Sequence, residues 1–316
     1  MNKGNVVVTG GLGFIGSNVV KELVRRGEKV SVIYTDGDVD NWRYLRGLPV
    51  QDFIHCQDIP CLDRARAVIH LGAISSTTCT DSKALIENNF TFSKILADHC
   101  QNWGVRFIYA SSAAVYGAAT NKTTEDLNLE PLNLYAQTKL WLDTALIDYQ
   151  NVFGLRYFNV FGKNELHKGN QSSVIPRFLK QLKTEGRVKL FIEENGQERG
   201  SSTRDFNSVK DVAKITSTLA LNGDFQHQGN HIIDVGTGKP MSFLQVAQLV
   251  ADACNVPFDV EWIPMPKDIA NQYQYYTKAS TSKLGDMGLY HAMFPDIFIQ
   301  DYVGDLLYDP SFDISS

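Results

Sequence analysis

Cysteine is sparse and unpatterned in this 316-residue chain. Cys56, Cys61, Cys79, Cys100 and Cys254 form an odd, scattered set, with no C-x-x-C pair and no histidine pair at zinc spacing. Neither a disulfide framework nor a metal site is expected, and five reduced thiols fit a cytosolic protein. Blocks of basic residues are missing as well. Thirty Lys and Arg against 35 Asp and Glu leave a formal charge of −5, which argues against a nucleic-acid partner. No apolar run suits a signal or membrane helix, because the uncharged stretch from Gly4 to Val20 is interrupted by glycines at 4, 10, 11, 13 and 16. No membrane partner and a cytoplasmic location are therefore expected. With 43% hydrophobic and 21% charged residues, no internal repeat and no low-complexity linker, the composition excludes a disordered or fibrous chain.

What is present begins at once. Val6-Val7-Val8 is a short β-branched run of the kind that forms a buried parallel strand. Thr9 to Gly16 is glycine-rich, Ser17 to Arg26 reads as a helix closed by Gly27, and Val30 to Ile33 begins a second strand. This βαβ order predicts an α/β fold with a doubly wound, Rossmann-like parallel sheet. Further strands are expected at Ala67–Leu71, Arg106–Ala110 and Gly154–Tyr157, with helices over Leu85–Gln101 and Leu134–Gln150 between them. Beyond residue 160 the alternation loosens. Lys163–Asn170 reads as a loop, and helices are expected at Val174–Glu185, Val209–Leu221 and Phe243–Cys254, with strands at Val188–Ile192 and His231–Val235. A dinucleotide-binding domain over 1–160, rejoined by about 206–236, and a smaller substrate-binding lobe over 161–316 follow from this pattern.

Gly10, Gly13 and Gly16 have the spacing that a pyrophosphate cradle needs. One glycine permits the turn, one lets the backbone approach the phosphates and one lets helix and strand pack closely. A tight strand–helix turn with no ligand is the alternative reading of the same glycines. The second strand ends in Tyr34-Thr35 without a carboxylate at its tip; Asp36 comes late, and Arg43 and Arg46 follow. An arginine there could meet the 2′-phosphate of NADP, so the pattern favours NADP and leaves NAD open.

Ser112 lies at the end of a predicted strand, and Tyr135 and Lys139 stand four apart on one helix face. A phenol with a reference pKa near ~10 is a poor base at pH 7, and a neighbouring lysine cation with an oxidised nicotinamide would favour its phenolate. The serine hydroxyl could then hold a substrate oxygen while the tyrosine takes or returns its proton.

On Thr9–Gly16, His70-Leu71-Gly72-Ala73, Ala110-Ser111-Ser112-Ala113 and Tyr135-Ala136-Gln137-Thr138-Lys139, the chain resembles the extended short-chain dehydrogenases/reductases. Within them it is similar to the ADP-glyceromanno-heptose 6-epimerases, through Ser75–Thr78, Asn88-Asn89, Tyr157–Gly162, His167-Lys168-Gly169, Arg204-Asp205-Phe206 and Tyr273-Gln274. The resemblance implies oxidation at C6 of a nucleotide-activated heptose, reorientation of the bound keto-sugar and reduction on its other face. An inverting enzyme needs a second proton donor, and the resemblance points to Lys168, with Ser112, Tyr135 and Lys139 serving the first. It further implies cofactor contacts from Phe14, Ile15, Arg43, Asp58 and Leu71, and from Gly72, Ala73, Ser75, Asn88, Lys139 and Val160. Ser75, Ser76, Asn159, Asn170, Arg177, Phe191, Arg204 and Tyr273 would contact the nucleotide sugar, and a homo-oligomer is implied.

The chain departs from the family where Asn170 and Arg177 replace a usual serine and histidine, where Glu193–Thr203 looks expanded, and where the segment before Val68 looks shortened. Another sugar-nucleotide epimerase or a reductase of the same superfamily therefore stays open, as does, remotely, a non-catalytic NADP-sensing protein. Ala113-Ala114 after Ser112 lack the Asp-Glu pair of a 4,6-dehydratase.

Overall fold

The computed structural model describes residues 4–59, 61–119, 126, 129–193, 199–223, 230–290 and 293–312. Seven parallel strands form the central sheet: β1 (Val6–Thr9), β2 (Val30–Tyr34), β3 (Asp52–His55), β4 (Ala67–His70), β5 (Arg106–Ser112), β6 (Val152–Tyr157) and β7 (Asn230–Val235). Their order across the sheet is β7-β6-β5-β4-β1-β2-β3. The chain thus winds outward in one direction from β1 to β3, then crosses back to β4 on the other side of β1. A crevice opens at the carboxyl ends of the strands where such a reversal occurs.

The strand alternation assigns side chains to two cores. Val6, Val8, Val30, Val32 and Ile69 face one side, packed under α1 (Phe14–Arg25) and against Val212, Ile215 and Leu219 of a later helix. Val7, Ile33, Val68 and Phe107 face the other, covered by α2 (Phe92–Trp103) and α3 (Leu134–Ala145). Each buried aliphatic side chain contributes about 1.5–3 kcal/mol, so a one-residue slip of any strand would forfeit several of them. A third cluster lies in the second half, where α4 (Val174–Glu185), α6 (Phe243–Cys254) and α7 (Pro295–Leu307) surround Val188 and Leu190. Between α4 and α6 in sequence, α5 (Val209–Leu221) returns to pack on α1 and carries the chain to β7. Among the described residues no helix is long and apolar enough to cross a membrane.

Two segments differ from the sequence pattern. The helix expected over Leu85–Gln101 is divided: Ser82–Ile86 is α-helical, Glu87–Thr91 is a π-type turn, and α2 follows. The bulge accompanies the reach of the Asn89 amide to the backbone of Ile74, donating to its carbonyl at 2.9 Å and accepting from its N–H at 2.8 Å. Strand β3 has no apolar alternation to announce it, because it is the sheet edge and leaves Asp52 and Phe53 exposed.

Candidate active site

The glycine turn joins β1 to α1 at the crevice. Gly10 adopts φ 63°, and a Cβ on Gly16 would fall 2.0 Å from the Gly10 carbonyl oxygen, so no larger residue allows α1 to sit this close to the turn. No side chain caps α1 at Gly13, which leaves first-turn N–H groups available to an anion. Gly10, Gly13, Phe14, Ile15 and Gly16 line one wall of a cleft of about 1200 Å³. Leu71, Gly72, Ala73, Ser75, Asn88 and Val160 line it nearby. The junction between β1 and β4 is fixed by the Thr9 hydroxyl, which accepts from the Gly72 N–H at 3.2 Å and lies 2.6 Å from His70 Nδ1. Burial lowers the His70 pKa to about 3, so this ring is neutral. A bare backbone cradle with uncapped donors suits the pyrophosphate of a dinucleotide.

At the end of β2 the structure differs from the arginine expectation. Asp38 lines the cleft, its carboxylate accepting from the Thr35 hydroxyl at 2.9 Å. Arg43 is exposed and outside the lining, as is Asp58, whose place there is taken by Cys56. The chain after β2 coils into a 3-10 segment (Asp36–Leu45) that carries Asp38 back towards the crevice, whereas the Asp36 side chain stays exposed, 3.4 Å from His55.

Ser112, the last residue of β5, accepts from the Ala114 N–H at 3.2 Å and starts the next turn. Asn133 caps α3 by accepting from the Ala136 N–H at 2.9 Å, which places Tyr135 in the first turn and Lys139 on the next. Ser112, Tyr135 and Lys139 all line the cleft, and Lys139 Nζ lies 6.0 Å from the Tyr135 ring centroid. Desolvation lowers the Lys139 pKa to about 8, opposed by the Asp143 carboxylate. The Tyr135 phenol is raised by burial, against a lowering hydrogen bond with Ser112. The sequence reading makes phenolate depend on a lysine cation and an oxidised nicotinamide; dry surroundings raise the phenol in the protein alone, so that added positive charge is what phenolate formation needs.

Lys168, Asn159, Arg177, Arg204 and Tyr273 line the same cleft. The Arg204 guanidinium is held between aromatic faces, 4.9 Å from the Tyr273 centroid and 5.4 Å from that of Phe243. Desolvation lowers the Lys168 pKa, with the Glu165 carboxylate acting in the opposite sense.

A family model for the "NAD dependent epimerase/dehydratase family" matches residues 6–236. The chain belongs to that family. The ADP-L-glycero-D-manno-heptose-6-epimerase of Alkalilimnicola ehrlichii is 38% identical to it over 297 residues, covering 90% of this chain and 91% of the relative. Two solved structures share the fold. The Helicobacter pylori ADP-L-glycero-D-manno-heptose-6-epimerase has a TM-score of 0.81 at 23% identity, covering 97% of each chain. The UDP-N-acetylglucosamine 4-epimerase of Methanobrevibacter ruminantium, in complex with UDP-N-acetylmuramic acid, has a TM-score of 0.79 at 25% identity, covering 97% of this chain and 99% of the other.

In this epimerase/dehydratase family member, three expected substrate residues lie outside the cleft lining. Ser76 pairs with Thr78 at 3.2 Å while Thr77 lines the cleft; Asn170 is exposed while Gln171 lines it; Phe191 belongs to the strand Val188–Ile192, paired with Val260–Pro264. Of the segment that looks expanded, residues 194–198 lie outside the described residues. Sequence reading missed Asp38, which periodicity cannot place because a 3-10 turn carries it. It also missed Glu165, whose buried carboxylate accepts from the Gly162 N–H at 3.1 Å and from the Ser173 N–H at 2.6 Å. A lone glutamate three residues before Lys168 gives no sequence signal of that role.

Proposed function

We propose that this chain inverts C6 of an ADP-activated heptose by transient oxidation, reorientation of the keto-sugar and re-reduction. When bound, a nicotinamide dinucleotide supplies reversible hydride exchange with a carbinol carbon. The glycine turn and the loop after β4 would hold it. Ser112 holds the reacting oxygen, and Tyr135 removes its proton with the Lys139 cation beside it. Once the keto-sugar presents its other face, its oxygen has moved from Tyr135, and Lys168 donates a proton of its own there; Tyr135 then gives up its proton to solvent and Lys168 regains one, which resets both groups. Asn159 orients the sugar, and Arg204 and Arg177 hold the diphosphate, for which a planar fork of N–H donors is suited.

The observation carrying this reading is that Lys168 enters the cleft already lined by Tyr135 and Lys139. Asp38 favours NAD over the NADP that the β2 sequence suggested, since a carboxylate accepts from a ribose hydroxyl and repels a 2′-phosphate. We read the protein as a cytoplasmic homo-oligomer; Ile95 and Trp103 on α2, with Trp141 on α3, are large exposed apolar groups suited to a subunit contact.

The test is a panel of nucleotide sugars incubated with the enzyme and read by proton NMR for a new epimer, with Lys168→Met beside wild type. ADP-heptose should be inverted by the wild type, and by Lys168→Met at least tenfold more slowly with dinucleotide content unchanged. Silence towards ADP-heptose alongside turnover of a UDP-, GDP- or dTDP-sugar would reassign the substrate and keep the chemistry. Loss of dinucleotide together with activity in Lys168→Met would make that lysine a phosphate contact.

A further inference from the structure

Lys168 has a long, flexible side chain, so its aim depends on how its backbone is held. Glu165 pins the base of the segment by binding both Gly162 and Ser173. The N-terminal arm is tied to α1: the Asn164 amide donates to the Ser17 hydroxyl at 2.9 Å, and the Asn18 amide donates to the Lys163 carbonyl at 2.9 Å. Beyond Lys168 the 3-10 turn is interrupted at Gly169, where φ is 53° and ψ −120°, so helical bonding does not carry the tip. Two side-chain bonds reach the tip from elsewhere. Both bonds lie in exposed positions: Ser75 donates to Gln171 at 3.3 Å, and the Tyr44 hydroxyl lies 3.1 Å from His167 Nδ1 with the rings 5.5 Å apart. The second contact is the tighter one, and it adjoins the lysine directly. Tyr44 belongs to Asp36–Leu45, the same segment that folds Asp38 into the cleft.

We propose that Tyr44, acting through His167, is a positioning residue for Lys168, so that the segment forming the β2 end of the cleft also aims the second proton donor. The proposal rests on the reading of Lys168 as that donor. Its consequence is coupling: the 3-10 segment that presents Asp38 to the cofactor and the tip that presents Lys168 to the sugar are joined by one hydrogen bond. Tyr44 itself does not line the cleft and touches neither reactant in this scheme.

Tyr44→Phe, His167→Asn, His167→Ala, Lys168→Met and the double variant Tyr44→Phe/Lys168→Met test this, assayed with the nucleotide sugar identified by the panel above. Tyr44→Phe should lower kcat about fivefold, the scale of one net hydrogen bond, with KM, thermal midpoint and dinucleotide content little changed. His167→Asn, which keeps a polar atom near the place of Nδ1, should recover most of the rate that His167→Ala loses. The double variant should be no slower than Lys168→Met, because the tyrosine acts only through the lysine. Tyr44→Phe at the wild-type rate, or a double variant showing the product of the two losses, overturns the proposal while Lys168→Met stays impaired. Lys168→Met at the wild-type rate overturns the reading of the lysine and the proposal with it.

Discussion

Asp143 stands one helical turn beyond Lys139, and its carboxylate receives the Arg156 guanidinium at 3.0 Å with both side chains fully buried. The same carboxylate accepts from Tyr109 and from Ser111, each at 3.0 Å, while Arg156 also donates to the Tyr116 hydroxyl at 3.1 Å. The floor beneath the tyrosine–lysine pair is therefore ionic rather than apolar. Removing one partner strands the other. Asp143→Ala should cost about 3–5 kcal/mol of stability, read from urea unfolding, because the guanidinium is left buried without its counter-ion. A loss below 1 kcal/mol would mean that water reaches Arg156.

Tyr135→Phe removes a hydroxyl and little packing. Turnover should fall by about 10²–10⁴, with dinucleotide content and thermal midpoint unchanged. Activity within threefold of wild type would take the tyrosine out of the proton transfer.

Asp38→Asn keeps the shape of the side chain and removes its charge. Titration of the dinucleotide-free protein should show tighter NAD than NADP binding for wild type, and a ratio shifted towards NADP by about tenfold or more in the variant, equivalent to about 1.4 kcal/mol of lost repulsion. Equal affinities in the wild type would exclude Asp38 as the discriminating group.

Lys139 gives a pH signature. Its folded pKa, about 8, is below the reference 10.5, so the folded state disfavours the cation. The penalty is fully present below pH 8 and is lost as pH rises through 10.5, above which both states are neutral, so this group makes stability increase with pH across that window. In dinucleotide-free protein, the stability of Lys139→Met minus that of wild type should shrink from pH 7 to pH 10.5, by an amount on the order of 3 kcal/mol. A difference independent of pH would show the lysine to be solvated.

Gly16→Ala should destabilise the fold by more than about 2 kcal/mol, since its methyl group meets a backbone oxygen that cannot move without opening the turn. Gly285→Ala, with nothing near its added carbon and a helical setting, should leave stability equal or up to about 1 kcal/mol higher. Paired thermal melts separate the two.

Much of this was legible in the residues. Short continuous apolar runs mark β1, β2, β4 and β5 because their side chains meet cores on two faces, and helices at Val174–Glu185 and Phe243–Cys254 have one apolar stripe each. Ser112, Tyr135 and Lys139 were readable from spacing, since a strand end and a single helix face fix their relative places. Asp38, Glu165 and Tyr44 were not. They sit on 3-10 turns or beside them, where position depends on contacts made across more than a hundred residues, as in the Tyr44–His167 pair. Edge strand β3 was hidden for the opposite reason: with little to bury, it needs no pattern.

The outermost strand opposite β3 is β7, supplied only after the chain has built Val174–Glu185 and Val188–Ile192 in its second half. During synthesis, β6 must wait with an unpaired flank until residue 235 has left the ribosome, and a fragment ending near 160 would keep that flank bare. Fragments cut at the apparent midpoint of this protein should thus aggregate, and those that extend through β7 are the shortest from the N-terminus that complete the sheet.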